Sequence, residues 1–299
     1  MENLPLDFFV TSMQFTKHVH RDQYPAIDPT SPELSMAGKV VIITGASRGL
    51  GARGFAPAFA KAGAKGIVLV ARDAAKLDAV AKEIHEINPN VQVLAVSTDI
   101  SDEKSVASLY EKVAATFGHA DILINNAGLF GAQGTIKDVD PSVWWQDFSV
   151  NTGGTFRMTS AYLRALPETS HGTIITMTSG MAYQVFPGTS AYSLSKLINL
   201  QMAALVAVEN PNVTSIALHP GLVLTEMTAE PFKKFSLDTP ELIGGTGVAL
   251  CTEKGRAFSG RFIACNWDID DLNEKAKEIE AGKLLQIDLT GTFGAEQFQ

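Results

Sequence analysis

The segment SAYSLSK, residues 190–196, sets Tyr192 and Lys196 four positions apart. On a helix such residues share a face, one turn from each other. A phenol with a pKa near 10 is a poor proton donor or acceptor at neutral pH. A neighbouring ammonium favours the phenolate. A drop of about three units, roughly 4 kcal/mol, brings the tyrosine toward working pH, where general acid–base catalysis is most effective. Taken alone, a Tyr…Lys pair of this spacing is usually a solvated surface pair. Ser179 adds to it: it ends the strand-like TIITMTS, thirteen residues before Tyr192, where its hydroxyl can bond a carbonyl oxygen or simply serve the turn before Gly180. Asn151 lies in FSVNTGGTF, inside a helix pattern that begins near Asp140 and Pro141. Asparagine followed by Gly153 and Gly154 is poor helix material, so a functional kink and close backbone packing are both open.

GKVVIITGASRGLGARG, residues 38–54, admits two chemistries. Gly45-Ala46-Ser47-Arg48-Gly49 fits the G-x-S-x-G turn that presents a hydrolase serine, with His219 available to a triad. Thr44 to Gly51 also fits a glycine-rich loop. There Gly45, Gly49 and Gly51 let backbone approach a dinucleotide phosphate at a helix N-terminus. Both readings need strand, turn and helix. Position favours the phosphate loop, because the turn follows the first strand pattern, where a doubly wound fold holds a pyrophosphate. The hydrolase elbow follows several strands. Ser47 then becomes a loop hydroxyl, and His219, before Pro220 at a strand end, is structural. The spacing G-x-x-x-G-x-G departs from the common G-x-G-x-x-G.

These residues need a scaffold. Short runs rich in Val and Ile recur at VVIIT (40–44), GIVLVA (66–71), VQVLAVS (91–97), DILIN (121–125), TIITMTS (173–179), VTSIALH (213–219) and RFIAC (261–265). They are apolar on both faces, as strands of a covered parallel sheet are. Helix-like stretches alternate with them, including residues 73–87 and 101–118. The latter opens on Ser101 as an N-cap, with acids in its first turn and Gly118 as its stop. The expectation is an α/β chain: a Rossmann-like doubly wound parallel sheet of about seven strands flanked by helices. Residues 1–36, with four prolines, read as an arm that lies on the domain or is partly disordered. Residues 37–265 read as the catalytic domain and 266–299 as a C-terminal extension. Pro57 falls inside the helix after Gly51, where a straight helix would lose about 3 kcal/mol. A kink or an early start absorbs that.

Bulk properties exclude some classes. The chain has 299 residues, is 45% hydrophobic and carries a net charge of −8. That is ample for a core, and the acidic balance argues against nucleic acid. Cys251 and Cys265 are its only cysteines. They form neither a disulfide framework nor a metal-ligand spacing, which points to a reducing compartment. Glu2 and Asp7 stand where a signal peptide carries positive charge, and no run of eighteen apolar residues occurs. A cytoplasmic protein bound to neither membrane nor metal is expected.

TGASRGLG, NNAG (125–128), the Asn151 segment, Ser179, Tyr192-x-x-x-Lys196 and Pro220-Gly221 follow the order and spacing of the short-chain dehydrogenase/reductase family. Over residues 37–265 the chain resembles its compact members. Each motif is weak; six in order are specific. The resemblance implies that Tyr192 is the general acid in carbonyl reduction and the base in alcohol oxidation. It further implies that Ser179 orients the oxygen, that Lys196 lowers the tyrosine pKa and binds the nicotinamide ribose, and that Asn151 holds a relay water. Cofactor contacts carried over include Leu50, Asp99 with Ile100 near the adenine, Asn125, Ala127 and Gly128. Pro220, Gly221, Val223 and Thr225 belong to the same set. Hydride transfer is the cofactor's own chemistry.

An NAD site usually ends its second strand on an acid that bonds the ribose. Here Ala71 stands there, Arg72 follows, and Arg48 lies in the glycine loop. Two arginines suit a 2′-phosphate, so NADP(H) is expected; Asp73 reaching the ribose would reverse this. Met181, Tyr183, Phe186, Met227 and Phe232 suggest an apolar lining for a hydrophobic ketone, aldehyde or alcohol, or else pack in the core. The family's dimers form through the helices bearing Asn151 and Tyr192, which implies a homo-oligomer, dimer or tetramer. A reductase-derived cyclase or isomerase and a non-catalytic dinucleotide sensor are the alternatives.

Overall fold

The computed structural model describes residues 4–298, so residues 1–3 of the arm, Glu2 among them, and Gln299 of the extension lie outside it. Seven strands are β1 (Val40–Thr44), β2 (Gly66–Ala71), β3 (Gln92–Ser97), β4 (Ile122–Asn125), β5 (Gly172–Met177), β6 (Val213–His219) and β7 (Phe262–Ala264). They form one parallel sheet in the order β3-β2-β1-β4-β5-β6-β7. The order reverses between β1 and β4, which opens a crevice at the strands' C-terminal ends.

The helices are α1 (Phe8–Thr11), α2 (Ala56–Lys61), α3 (Ala74–Ile87), α4 (Glu103–Phe117), α5 (Pro141–Phe148), α6 (Thr155–Ala165), α7 (Ser190–Glu209), α8 (Pro240–Leu250), α9 (Glu253–Arg256), α10 (Ile269–Glu274) and α11 (Ala276–Ala281). Strand side chains alternate between faces, and here both faces are apolar. Val41, Ile43, Ile67 and Leu69 pack with Phe55, Phe59, Leu77 and Ile243 from α2, α3, α8 and the turn before α2. Val40, Ile42, Val68 and Val70 pack on the other side with Leu109, Val113 and Met158 from α4 and α6. β3 departs from the expected two-sided burial: as an edge strand it is largely half-buried or exposed.

Two local expectations are resolved. Pro57 is tolerated because residues 51–55 form a π-helical turn, which places the proline in the first turn of α2. The Ala56 N–H reaches back five residues to the Gly51 carbonyl, a widened turn that lets the helix pass a residue with no N–H. α4 is capped by Asp102, which accepts from the backbone N–H groups of Lys104 and Ser105, not by Ser101. Ser101 instead donates its hydroxyl to Asp99 at 2.6 Å. Gly118 ends the helix at φ +84°, a conformation costly for other residues.

The arm lies on the domain: Ile27 and Leu34 are fully buried in the core. Residues 266–281 pack on the arm, with Trp267 Nε1 donating to the Met13 carbonyl and the His18 N–H to Asp271. α7 is, among the described residues, the one helix long and apolar enough to cross a membrane by length and composition. Its buried Lys196 and its packing on β5 and β6 give it a role in the core of the fold.

Candidate active site

The crevice between β1 and β4 is a continuous cleft of about 690 Å³. Its floor is the glycine loop. Gly45 and Gly49 have φ of +67° and +56°, which suits only glycine without strain. A Cβ on Gly49 would meet nothing closer than Thr225 Cγ2 at 3.9 Å, so the loop backbone faces open space. A Cβ on Gly51 would fall onto the Gly45 carbonyl, so that glycine serves the close packing beneath the loop. Gly51 does not itself line the cleft, contrary to expectation.

Tyr192 and Lys196 rise from the first turns of α7, and Ser179 caps the short turn after β5; all three line the cleft. Lys196 is buried, with Nζ 5.5 Å from the Tyr192 ring centroid. Nζ donates to the Met177 carbonyl at 3.0 Å. In the cofactor-free protein the direction of the Tyr192 shift is opposite to the expected acidification. Burial pushes the phenol up to about 12, opposed by its hydrogen bond with Ser179. Burial also pulls the Lys196 amine down to about 8. The physical reason is shared: removal from water disfavours the charged form of both groups.

Asn151 is fully buried, in a π-helical turn (Ser149–Gly154) between α5 and α6. Its Oδ1 accepts from the Leu129 N–H at 2.7 Å. Its Nδ2 donates to the Leu129 carbonyl at 2.9 Å and to Ser195 Oγ at 3.1 Å. These bonds bind the loop after β4 to α7. The side chain does not line the cleft and has both donors spent, which leaves the expected relay water no donor from it. Asn151→Ala should lower stability by about 2 kcal/mol, because the Leu129 N–H would be left unpartnered in a half-buried loop; chemical denaturation measures this.

Asn125, also expected at the cofactor, turns away from the cleft. It is buried and donates to Thr159 Oγ1 at 2.9 Å. Its neighbour Asn126 lines the cleft and ties β4 to the glycine loop, donating from Nδ2 to the Thr44 carbonyl at 2.8 Å. In NNAG the two asparagines alternate faces, and strand phase alone did not say which looked out. The remaining expected residues all line the cleft: Ser47, Arg48, Leu50, Arg72, Asp99, Ile100, Ala127, Gly128, Pro220, Gly221, Val223 and Thr225. Asp99 is held below the usual carboxylate range by hydrogen bonds from the Ser101 hydroxyl and N–H, with Arg72 adding to this. Asp73 accepts from the Lys76 N–H at 3.1 Å as the N-cap of α3.

At the substrate end, Met181, Met227 and Phe232 line the cleft, whereas Tyr183 and Phe186 do not. Tyr183 packs edge-on against Phe262, with centroids 5.4 Å apart. Leu129 and Phe130 also line it, with the Phe130 ring 4.7 Å from that of Tyr192. Their position just past a strand's C-terminal end was the available signal. No described residue of the C-terminal extension lines the cleft. His219 does, but burial pushes its pKa down to about 4. Its Nδ1 is buried with no hydrogen-bond partner. A triad histidine needs an acid on that nitrogen, so the hydrolase reading of Ser47 fails. No cluster of metal-ligating side chains occurs among the described residues.

The wall of small residues, the loop open toward Thr225 and the two arginines fit a nicotinamide dinucleotide. Comparison with known proteins agrees. Residues 39–235 match the family model for short chain dehydrogenases. The short chain dehydrogenase mpl6 of Monascus purpureus is 39% identical, over 94% of this chain and 99% of that protein. Among solved structures, a short chain dehydrogenase from Salmonella enterica serovar Typhi superposes with a TM-score of 0.71 at 27% identity, covering 81% of this chain and 99% of that one. L-sorbose reductase from Gluconobacter frateurii, complexed with NADPH and L-sorbose, has a TM-score of 0.70 at 28% identity, covering 78% and 96%.

Proposed function

Because this chain belongs to the short-chain dehydrogenase/reductase family of oxidoreductases, we propose that it is an NADP(H)-dependent carbonyl reductase for small hydrophobic ketones or aldehydes. The observation that carries the reading is the convergence of Tyr192, Ser179 and Lys196 on one cleft, with the Tyr192 phenol pushed toward its neutral form beside Ser179. A neutral phenol in a wall of low polarity is poised to give a proton to an oxygen that is gaining charge. Ser179 Oγ accepts the Met181 N–H at 3.2 Å, which fixes the oxygen beside Tyr192, and its hydroxyl would turn from the phenol to the substrate oxygen. Lys196 would hold the nicotinamide ribose, and the glycine loop with Arg48 would hold phosphate. When bound, the nicotinamide supplies the hydride. Leu129, Phe130, Met181, Met227 and Phe232 exclude water and favour an apolar substrate.

The preference for NADP(H) rests on charge. Arg48 and Arg72 line the adenine end, and Asp73, the acid that could have bonded a ribose hydroxyl, is occupied as a helix cap beside Lys76. The complex of the L-sorbose reductase with NADPH is in keeping with this. Arg72→Ala should lower the ratio of kcat/KM for NADPH over NADH by about tenfold, the worth of one charge-assisted contact of roughly 1.4 kcal/mol. A panel of aryl and alkyl carbonyls assayed with NADPH and NADH side by side tests the whole reading. Product without loss of NADPH absorbance would make the protein a cyclase or isomerase, and cofactor binding without any product would make it a sensor. We also propose a homodimer through the face of α5, α6 and α7, where Trp145, Phe156, Leu194, Leu205 and Val208 are exposed. The free thiols Cys251 and Cys265 suit a cytoplasmic setting.

A further inference from the structure

The turn Pro220-Gly221-Leu222 lines the cleft, yet what holds it in place comes from outside residues 39–235. Asp238 is the centre. Its carboxylate is wholly buried, and its Oδ2 accepts the Leu222 N–H at 2.6 Å. Its Oδ1 accepts from Arg21 Nε, also at 2.6 Å. Arg21 belongs to the N-terminal arm. Its Nη2 donates to the Phe235 carbonyl at 2.7 Å, and its own carbonyl accepts the Thr239 N–H at 2.9 Å. Arg21 thus grips both ends of the segment 235–239. Above it, the arm's Phe9 packs on Phe232 and Phe235, with centroids 5.6 and 5.0 Å away. Phe232 lines the cleft. A carboxylate this deep is tolerable only when paired and hydrogen-bonded, and no other cation is ion-paired with it among the described residues.

We propose that the arm is part of the active site's construction, and that Arg21 is a positioning residue: through Asp238 it sets the cleft wall 221–238 that closes over nicotinamide and substrate. Without the guanidinium, Asp238 is a buried charge with half its partners gone. The segment relaxes outward until water reaches it, and the Leu222 turn moves with it. The inference rests on the dinucleotide reading of the cleft. It makes the arm, which adds no strand to the sheet, a determinant of cofactor and substrate affinity.

The test uses the full chain with Arg21→Ala and Arg21→Lys. NADPH affinity is read by fluorescence titration, and the exposure of segment 221–238 by the initial rate of tryptic cleavage after Lys233. Arg21→Ala should weaken NADPH binding about tenfold and quicken that cleavage about tenfold, as loss of a charge-assisted partner implies. Arg21→Lys should recover part of both. Guanidinium at about 20 mM, far below denaturing levels, should restore both in Arg21→Ala while leaving the unsubstituted protein unchanged. Unaltered binding and cleavage in Arg21→Ala would overturn the proposal. So would a global loss of the melting transition that guanidinium does not restore, because Arg21 would then serve overall stability and not the cleft wall. If the unsubstituted protein itself fails to bind NADPH, the dinucleotide reading fails, and the cleavage arm alone still decides whether Arg21 holds the segment.

Discussion

Tyr192→Phe should lower kcat for any carbonyl the enzyme reduces by about 10³-fold, the usual scale for losing a general acid. NADPH affinity should stay within about twofold of the unsubstituted protein, since the ring keeps its contacts and only the hydroxyl goes. The variant loses the hydroxyl that lines the cleft beside Ser179 and that is proposed to give the proton. The phenylalanine ring still fits against Phe130. Steady-state rates followed by NADPH absorbance, with a fluorescence titration of the same preparation, separate the two effects. Turnover that survives the substitution would remove Tyr192 from the chemistry.

Lys196→Met should have an effect of comparable size, and of opposite sign for activity and stability. Activity should fall by at least about 10²-fold, because the group that would bind the ribose is gone. Stability of the cofactor-free protein should rise. Burial takes the Lys196 pKa from 10.5 to about 8, which corresponds to about 3 kcal/mol held against the fold at neutral pH. Below pH 8 both folded and unfolded chains carry the charge, and the full cost is present. Between pH 8 and 10.5 the unfolded chain stays protonated while the folded chain loses its proton. The unfolded state then binds more protons, so stability rises with pH across that window. The methionine variant's advantage should therefore be greatest below pH 8 and vanish near pH 10.5. Tyr192 titrates in the folded state only at about 12 and its unfolded ionisation begins near 10, but it is common to both proteins and cancels in the difference. Urea unfolding of the pair from pH 6 to 10 checks this. An advantage that grew with pH would mean that Lys196 is stabilised as a cation by its contact with the Met177 carbonyl.

The combination explains why an enzyme would keep an unfavourable lysine. A buried amine and a half-buried phenol, each pushed toward its neutral form, are sensitive to whatever charge arrives beside them. The arrangement costs stability in the empty protein, and the core of two apolar layers around the sheet is large enough to bear it.

Much of this was legible in the residues because it is local. The seven strand runs are apolar on both faces, so parallel strands with helices on each side were the available solution. The strands β1, β2 and β6 begin and end where the runs do. Tyr192 and Lys196 needed only the helical period to meet, and Gly45 and Gly49 needed only their permitted backbone angles. Other features were not legible, since they depend on which distant group fills a valence. Asp102 outcompeted Ser101 as a cap one residue later, because a carboxylate accepts two backbone N–H groups together. Asn125 and Asn126 differ by one strand position and by the whole thickness of the wall.

By itself, then, the order of apolar runs and short motifs determined the doubly wound sheet, the location of the crevice and the pairing of Tyr192 with Lys196 on one helix face, since each follows from periodicity or spacing within a few residues. Only the tertiary structure decided that Asn151 staples Leu129 to α7, that the Tyr192 phenol is pushed toward its neutral form and that Arg21 of the arm reaches Asp238, 217 residues away. Those outcomes turn on desolvation and on hydrogen-bond partners brought together by chain crossings, and neither quantity exists until the layers have packed.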